Sequence, residues 1–195
     1  MTLVIVKRRD GPLVPSDSRQ KMIESAAVLL AMGGLDGTSL NDVLARSGAP
    51  RGSIYHHFPE GKDQLVDAAI ALAGERALEV LDAVDGRPPR EVTAFFLDIW
   101  RAVLQRSGLR AGCAVLAVTV ATDSADLLGH AAAIFRAWRA RLAELYVTGG
   151  VDQGEAVRIA ATVVAATEGA VVVSRAERSM DAFDLVAAQL LDMTP

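Results

Sequence analysis

The sequence predicts an all-α protein, with a small N-terminal three-helix unit followed by a larger helical region. Apolar residues recur at steps of three and four along most of the chain, which places them on one face of an α-helix. Breaks rich in glycine, proline or serine divide the chain into segments of helical length. The β-branched runs VLAVTV and VVV both lie inside longer helical patterns, so we predict no strand.

The first two helices are short and well delimited. Apolar spacing over residues 17–32 predicts the first helix, with Ser16 or Asp17 as its N-cap and a glycine-rich stretch after it. Thr38 or Ser39 caps the second helix, and an acidic residue three positions after Ser39 matches a capping box.

A tight turn separates the second helix from a third. Gly48 ends the second helix, and Pro50 opens the third at a position where its missing N–H costs no hydrogen bond. Pro59 and Gly61 close it. Short helices joined by a glycine-bearing turn are typical of a helix-turn-helix motif.

The rest of the chain continues as helices with short breaks at DGRPPR, SGLRAG, TGG and around Ser179. The predicted helices are 62–84, 90–106, 112–121, 124–147, 153–178 and 181–193.

Composition and charge narrow the class of protein. With 195 residues, 51% hydrophobic and 23% charged, the chain is typical of a soluble globular protein. The single cysteine, Cys113, excludes an internal disulfide framework and a cysteine-based zinc site, and it favours a reducing cytoplasm. The run KRR follows the apolar start MTLVIV, which reverses the charge order of a signal peptide. Residues 156–173 are apolar but contain Arg158 and Glu168, so we expect no membrane span.

The third helix carries an unusual concentration of polar chemistry. On a helical wheel Ile54 and Phe58 share the buried face. The rest of its surface carries Arg51, Gly52, Ser53, Tyr55 and His56, with His57 at the border.

These residue types suit contact with duplex DNA. Arg51 can bond a guanine edge in a bidentate manner, Ser53 can bond a base or a phosphate, and Gly52 allows close approach of the backbone. Tyr55 and His56 can donate to phosphate oxygens. A solvated turn in an ordinary helical protein is the alternative. The net charge of −4 argues against nucleic acid, although residues 1–60 carry seven basic against six acidic residues.

Neither a metal site nor a catalytic site is expected. His56 and His57 are predicted to point to different sides of the helix, and His130 is the only other histidine. The chain offers no Ser-His-acid set and no phosphate-binding glycine loop. We therefore expect no cofactor and no enzymatic activity.

Residues 38–65, TSLNDVLARSGAPRGSIYHHFPEGKDQL, resemble the DNA-binding region of TetR-family transcriptional regulators. FPEGK is one residue longer than the usual spacing, a variant that resembles the LmrA/YxaF-like branch and affects how Lys62 reaches phosphate. The positions that fill the family pattern are Gly48, Ser53, Tyr55, His57, Phe58 and Lys62.

The resemblance implies roles for individual residues. Phosphate contacts are implied for Thr38, Tyr55, His57 and Lys62, and positions near bases for Arg51, Gly52, Ser53 and His56. It also implies an all-helical homodimer that represses at a near-palindromic operator until a small-molecule effector binds. The corresponding domains are an N-terminal arm at 1–15, a helix-turn-helix domain at 16–62 and an effector-binding and dimerisation domain at 63–195.

The larger region suggests both a dimer interface and a ligand pocket. Small residues in the 153–178 helix permit close helix approach, and with the last helix they predict a four-helix interface, unless they pack only within the monomer. Glu168 and His130 are the ionisable residues most expected on inner faces, where either would orient an apolar or aromatic effector; the alternative is that each is solvated. Most pocket candidates would otherwise be plain core, and Cys113 a buried inert thiol rather than a redox sensor. The candidates are Phe96, Trp100, Cys113, Leu116, Phe135, Trp138 and Glu168.

A second class of function stays open from the sequence. The negative charge and the scarcity of lysine are also compatible with a helical small-molecule-binding protein that has no specific affinity for DNA.

Overall fold

The structure is a computed structural model that describes residues 15–195, and within that range it contains nine α-helices and no strand. A 3-10 turn, Arg51–Ser53, precedes the third helix, and another, Asp82–Val84, extends the fourth. The helices are α1 Pro15–Gly33, α2 Leu40–Ser47, α3 Ile54–His57, α4 Lys62–Leu81, α5 Pro89–Ser107, α6 Ala114–Thr119, α7 Ala125–Thr148, α8 Gln153–Glu177 and α9 Asp181–Met193. The predicted all-α class is confirmed. The predicted arm at 1–15 lies, apart from Pro15, outside the described residues.

Two predicted helix starts are wrong. Helix α1 begins at Pro15, so neither Ser16 nor Asp17 stands at its N-cap. Helix α6 begins after Cys113, whose Sγ accepts a hydrogen bond from the Leu116 N–H at 3.4 Å and so caps the helix. The helix was predicted to begin at residue 112, but the Cys113 sulfur caps it and it begins at Ala114.

The N-terminal unit has its own group of buried apolar side chains, where α1, α2 and α3 meet α4. The side chains of Met22, Leu30, Val43, Ile54 and Phe58 are all buried there. The Arg19 guanidinium lies 5.2 Å from the centre of the Phe58 ring, a cation–π contact that fixes the ring at the edge of this core.

Helix α4 connects the N-terminal unit to the larger helical region, because it packs against both α1 and α7. At the α7 crossing the Trp138 indole donates to the Gly74 carbonyl at 3.2 Å. The domain boundary predicted at residue 62 falls at the start of this continuous helix. Since one helix serves both sides, the two regions share packing rather than meeting through a flexible linker.

The C-terminal region is a layer of long helices in which α8 packs against α7 and α9, and α5 packs against α8 and α9. A buried polar group crosses this layer: the hydroxyls of Thr93 and Tyr146 are 2.7 Å apart, and those of Thr93 and Thr194 are 3.2 Å apart. Burial raises the pKa of Tyr146 to about 12, so its hydroxyl stays protonated. This group ties α5, α7 and the end of the chain together.

Helix α8 is the one described helix with the length and hydropathy of a membrane-crossing segment. Half of its most apolar stretch is nevertheless buried inside the protein, and Glu168 lies within it. A core helix meets the same criteria.

The tight α4–α7 crossing predicts a specific response to substitution. A Cβ at Gly74 would lie 2.8 Å from the Ile134 Cγ2. We expect Gly74→Ala to lower the free energy of unfolding by about 1–3 kcal/mol through overpacking, despite the higher helix propensity of alanine. Gly129→Ala is the matched control, since no atom lies within 4 Å of a Cβ there. Urea denaturation at one protein concentration should show destabilisation only at Gly74; equal effects at both sites would contradict it.

Candidate nucleic-acid interface and effector region

Helix α2 has a capped start, and it ends in a left-handed residue that begins the turn to α3. The Ser39 hydroxyl accepts a hydrogen bond from the Asp42 N–H at 3.1 Å and donates to the Asp42 carboxylate at 2.6 Å. At the other end Gly48 has φ 69° and its N–H bonds to the Leu44 carbonyl, a conformation that glycine adopts without strain. The sequence-predicted helix-turn-helix spacing is therefore present.

The third helix is shorter than its pattern predicts, with α-helical geometry over only four residues. Ile54 and Phe58 are buried, as expected, and they hold this segment against the N-terminal core. So short a helix has no stability of its own, which means that its orientation depends on these two side chains.

The predicted DNA-contacting side chains of this segment lie mainly on its outer surface. Arg51, Gly52 and His56 are exposed, and Tyr55 retains 65% of its accessible surface. Ser53 is half-buried, and its hydroxyl donates to the Pro50 carbonyl at 2.6 Å, which supports the 3-10 turn. The arrangement presents hydrogen-bonding groups to an external partner.

A groove of about 200 Å³ lies beside Arg51, between α2 and the turn. Its other walls are Asn41, Leu44, Ala45 and Ala49. The sequence interpretation omitted Asn41. Its position on the outer side of α2 was available from the helical period, but asparagine alone gave no functional signal.

Thr38 does not present its hydroxyl to a phosphate in this structure. The side chain is buried, its Oγ1 donates to the Gly34 carbonyl at 2.8 Å, and its N–H bonds to Leu35. Ser39 rather than Thr38 caps α2. The sequence could not distinguish these neighbours, because both are ordinary cap residues.

Lys62 also has an internal partner. Its Nζ donates to the Leu35 carbonyl at 2.7 Å, joining the start of α4 to the loop between α1 and α2. An ammonium group has three donors, so two remain for other acceptors. The partner lies 27 residues away in sequence, and no local pattern reveals such a contact.

The histidines are arranged differently from the prediction. The rings of His56 and His57 contact each other edge to face, with centroids 5.1 Å apart, rather than diverging. His130 is on the surface and pairs with Asp67 of α4 instead of facing the core. No group of three potential metal ligands occurs among residues 15–195.

The predicted effector residues lie in or beside the core of the C-terminal layer. Phe96, Trp100, Cys113, Trp138 and Glu168 are buried. Leu116 and Phe135 are half-buried. Phe135 and Trp138 pack edge to face at 5.5 Å, and the indole bond to Gly74 makes Trp138 part of the α4–α7 crossing. None of the seven lines the groove beside Arg51 or the surface cavity between the end of α1, the α5–α6 loop and α8.

Glu168 is the exceptional member of this set. It retains only 6% of its accessible surface, and neither carboxylate oxygen has a hydrogen-bond partner among the described residues. Burial raises the pKa of Glu168 to about 7, while the neighbouring Cys113 thiol acts in the opposite direction. Burial and this carboxylate together raise the pKa of Cys113 well above its ordinary value. Glu168 is therefore mostly protonated below about pH 7, and the Cys113 thiol is un-ionised at neutral pH.

A helix-turn-helix with an exposed polar third helix, joined to a larger helical layer, defines a DNA-binding regulator. Two family models match this chain: bacterial regulatory proteins of the TetR family over residues 22–78, and the C-terminal domain of LmrA/YxaF-like transcriptional regulators over residues 89–189. The chain belongs to the TetR family of transcriptional regulators, in its LmrA/YxaF-like branch.

Curated relatives resemble the chain over most of its length. An uncharacterized HTH-type transcriptional regulator of Mycobacterium tuberculosis is 35% identical, over 90% of this chain and 93% of the relative. YxaF of Bacillus subtilis is 28% identical over 89% of this chain and 93% of the relative. The HTH-type transcriptional regulator LmrA of the same organism is 29% identical over 81% of this chain and 86% of the relative.

Solved structures show the same fold. A TetR transcriptional regulator from Chloroflexus aurantiacus superimposes with a TM-score of 0.74 at 28% identity, over 91% of this chain and 94% of that one. A regulatory protein TetR from Rhodobacter sphaeroides gives 0.81 at 20% identity, over 91% and 99%.

The buried carboxyl group predicts a pH-dependent stability difference. Between about pH 5 and pH 7 the folded chain retains a proton on Glu168 that the unfolded chain has lost, so this residue makes stability fall as pH rises. Glu168→Gln removes that dependence. The stability of the variant relative to native protein should rise by about 2–3 kcal/mol from pH 5 to pH 8 in urea denaturation. Glu177→Gln, at an exposed position on α8, is the control; parallel profiles for native protein and Glu168→Gln would contradict the prediction.

Proposed function

We propose that this regulator is a ligand-responsive repressor that binds a near-palindromic operator as a homodimer in the cytoplasm. One observation carries the proposal: the segment from Arg51 to His57 exposes its polar groups while Ile54 and Phe58 hold it to the core. Such a short helix with outward-facing donors suits the major groove of DNA. An absence of any salt-sensitive preference for specific DNA would overturn it.

The proposed contacts differ in what they determine. Arg51 reads a base edge, with Ser53 and His56 near bases, and the open space around Gly52 lets the DNA backbone approach. Tyr55 and His57 bond phosphates and so fix register. Thr38 is left out because both of its donors are used internally. Lys62 would contact phosphate only through the ammonium N–H groups that do not bond to the Leu35 carbonyl.

The dimer interface is proposed on the outer faces of α8 and α9. Val157 and Val173 on α8 and Leu185 on α9 are exposed apolar side chains, and Leu185 retains 74% of its accessible surface. Ala165 and Gly169, also exposed on α8, allow a second helix to approach closely. A two-fold dimer would space its reading helices by roughly 34–36 Å, one turn of the duplex.

The proposed effector is a small apolar or aromatic molecule that inserts into the C-terminal layer. Aromatic walls at Phe96, Trp100 and Phe135 supply the apolar contact, and Glu168 is the polar anchor. A buried carboxyl without a donor is costly, and a ligand N–H or O–H would relieve that cost.

A second candidate is a small-molecule-binding protein without specific affinity for DNA. It is favoured by the net charge of −4 and by the internal engagement of Thr38 and Lys62, which reduces the number of phosphate contacts. Tight binding to a selected DNA sequence would exclude this candidate.

Two substitutions separate base reading from phosphate contact. Arg51→Ala should cost about 1–3 kcal/mol of binding free energy on the preferred sequence and should relax specificity at one base pair of each half-site. Tyr55→Phe should weaken binding to all sequences alike. Fluorescence anisotropy at two salt concentrations measures both effects. The DNA probes are the region upstream of the protein's own gene, sequences selected from a random pool and a scrambled control. Identical behaviour of the two variants would show that the assigned roles are wrong.

A charge placed on the α8 face tests the dimer. Ala165→Glu should shift the protein toward monomer in sedimentation equilibrium and lower DNA affinity at least tenfold, because two carboxylates would meet across the interface. Ala140→Glu on α7 is the matched control, since Ala140 is equally exposed but lies outside the proposed interface. A dimer unchanged by Ala165→Glu would exclude this face.

A further inference from the structure

A surface cavity of about 690 Å³ opens where the end of α1, the loop between α5 and α6, and the last turns of α8 meet. The sequence interpretation treated the loop, SGLRAG, only as a break between helices. Four aliphatic residues form one part of the wall: Met32, Leu109, Val172 and Ala176. Another part is formed by three arginines, Arg110, Arg175 and Arg178, and Gly108 completes the wall.

The three guanidinium groups have no carboxylate partner among residues 18–195. Arg110 donates to the Ser107 carbonyl at 3.1 Å and Arg175 to the Met32 carbonyl at 3.3 Å, both uncharged acceptors. Glu168, two turns earlier on α8, has no hydrogen-bond partner and forms no ion pair with Arg175. The positive charge of the cavity is therefore uncompensated by these residues, and an anion would be attracted to it.

Arg175 is held in place before any ligand arrives. Its guanidinium lies against Gly112, where an added Cβ would be only 2.9 Å from Nη1. The Gly112 N–H in turn bonds to the Ala31 carbonyl at 2.8 Å. The side chain is thus fixed between α1 and the α5–α6 loop, and less conformational entropy is lost when its remaining donors bind an oxyanion.

Two residues of the cavity wall have a backbone conformation that favours glycine, although both carry large side chains. Leu109 has φ 61° and Arg178 has φ 53°, the two non-glycine residues with positive φ in the described chain. Such a conformation is strained for a residue that carries a Cβ. Leu109 contributes to the aliphatic part of the wall and Arg178 to the cationic part, so both side chains line the same cavity.

We propose that this cavity binds the oxyanion of a small amphipathic molecule, a carboxylate or phosphate on an aliphatic body. Guanidinium groups bond either oxyanion with paired N–H donors, and the aliphatic wall accepts the apolar part. The site is separate from Glu168, which does not line the cavity. It contacts both α1 of the DNA-binding unit and α8 of the C-terminal layer.

Isothermal titration calorimetry on the full-length protein tests the proposal with four probes: octanoate, octyl phosphate, octanol and inorganic phosphate. At least one of the two amphipathic anions should bind at least tenfold more tightly than octanol and inorganic phosphate, and the stronger of the two identifies the oxyanion. The double variant Arg110→Gln/Arg178→Asn should weaken that binding about tenfold. Asparagine is chosen because it tolerates positive φ. Arg106→Gln, which removes an exposed arginine outside the cavity, should not weaken it.

Three results would overturn the proposal: octanol binding as tightly as both anions, native affinity in the double variant, or an equal loss in Arg106→Gln. A second copy of the chain that covers the cavity would appear as no binding of either anion, which also overturns it. DNA binding of the native protein is measured independently, so failure of this site leaves the proposed repressor function to be decided by its own test.

Discussion

The fold depends on α4 packing against two groups of helices at once. Leu65, Val66 and Ile70 are buried in its first half, and Gly74 and Leu81 in its second, with α1 and α7 both in contact with this helix. Protein interiors are close-packed, so α7 cannot move relative to α4 at Gly74 without opening a void or moving α4 as well. The DNA-binding unit is therefore positioned by the packing of the C-terminal layer.

Two further connections join these regions on the opposite side of α1. The Gly112 N–H bonds to Ala31, and Arg175 bonds to Met32, so the last turn of α1 is fixed by both the α5–α6 loop and α8. Together with the α4–α7 crossing, these contacts hold the N-terminal unit at separate points. A conformational change that moves the N-terminal unit relative to the C-terminal layer within one chain has to change at least one of these contacts.

The local features of the sequence predicted the structure best. The bounds of α9, the left-handed cap at Gly48 and the buried pair Ile54 and Phe58 all follow from periodicity and from short-range cap chemistry. The local errors are the starts of α1 and α6 and the length of the third helix. The contacts that the sequence did not reveal join residues far apart in the chain. Lys62 bonds to a carbonyl 27 residues earlier, and His130 pairs with Asp67, 63 residues away.

The difference between local features and long-range contacts also explains which parts of the candidate sites could be predicted from the sequence. Glu168 was expected on an inner face because the helical period of α8 places it there, whereas its lack of a partner depends on every helix that surrounds it. The sequence did not reveal the arginine cavity, because Arg110 lies on the loop between α5 and α6 and Arg175 on α8, and each alone is an ordinary surface residue in sequence. Periodicity determines which side of a helix is buried, but it does not identify what that side meets.

The charge distribution is consistent with a regulator that relies on few, specific contacts. With a net charge of −4, and with Thr38 and Lys62 bonded internally, the proposed interface has fewer groups available to contact phosphates. Affinity must then come mainly from base contacts and from the fit of a correctly oriented third helix. That orientation depends on tertiary burial, because the four residues of α3 cannot form a stable helix alone. In the proposed repressor, the short helix that Ile54 and Phe58 anchor would supply the specific contacts that a weak electrostatic attraction does not.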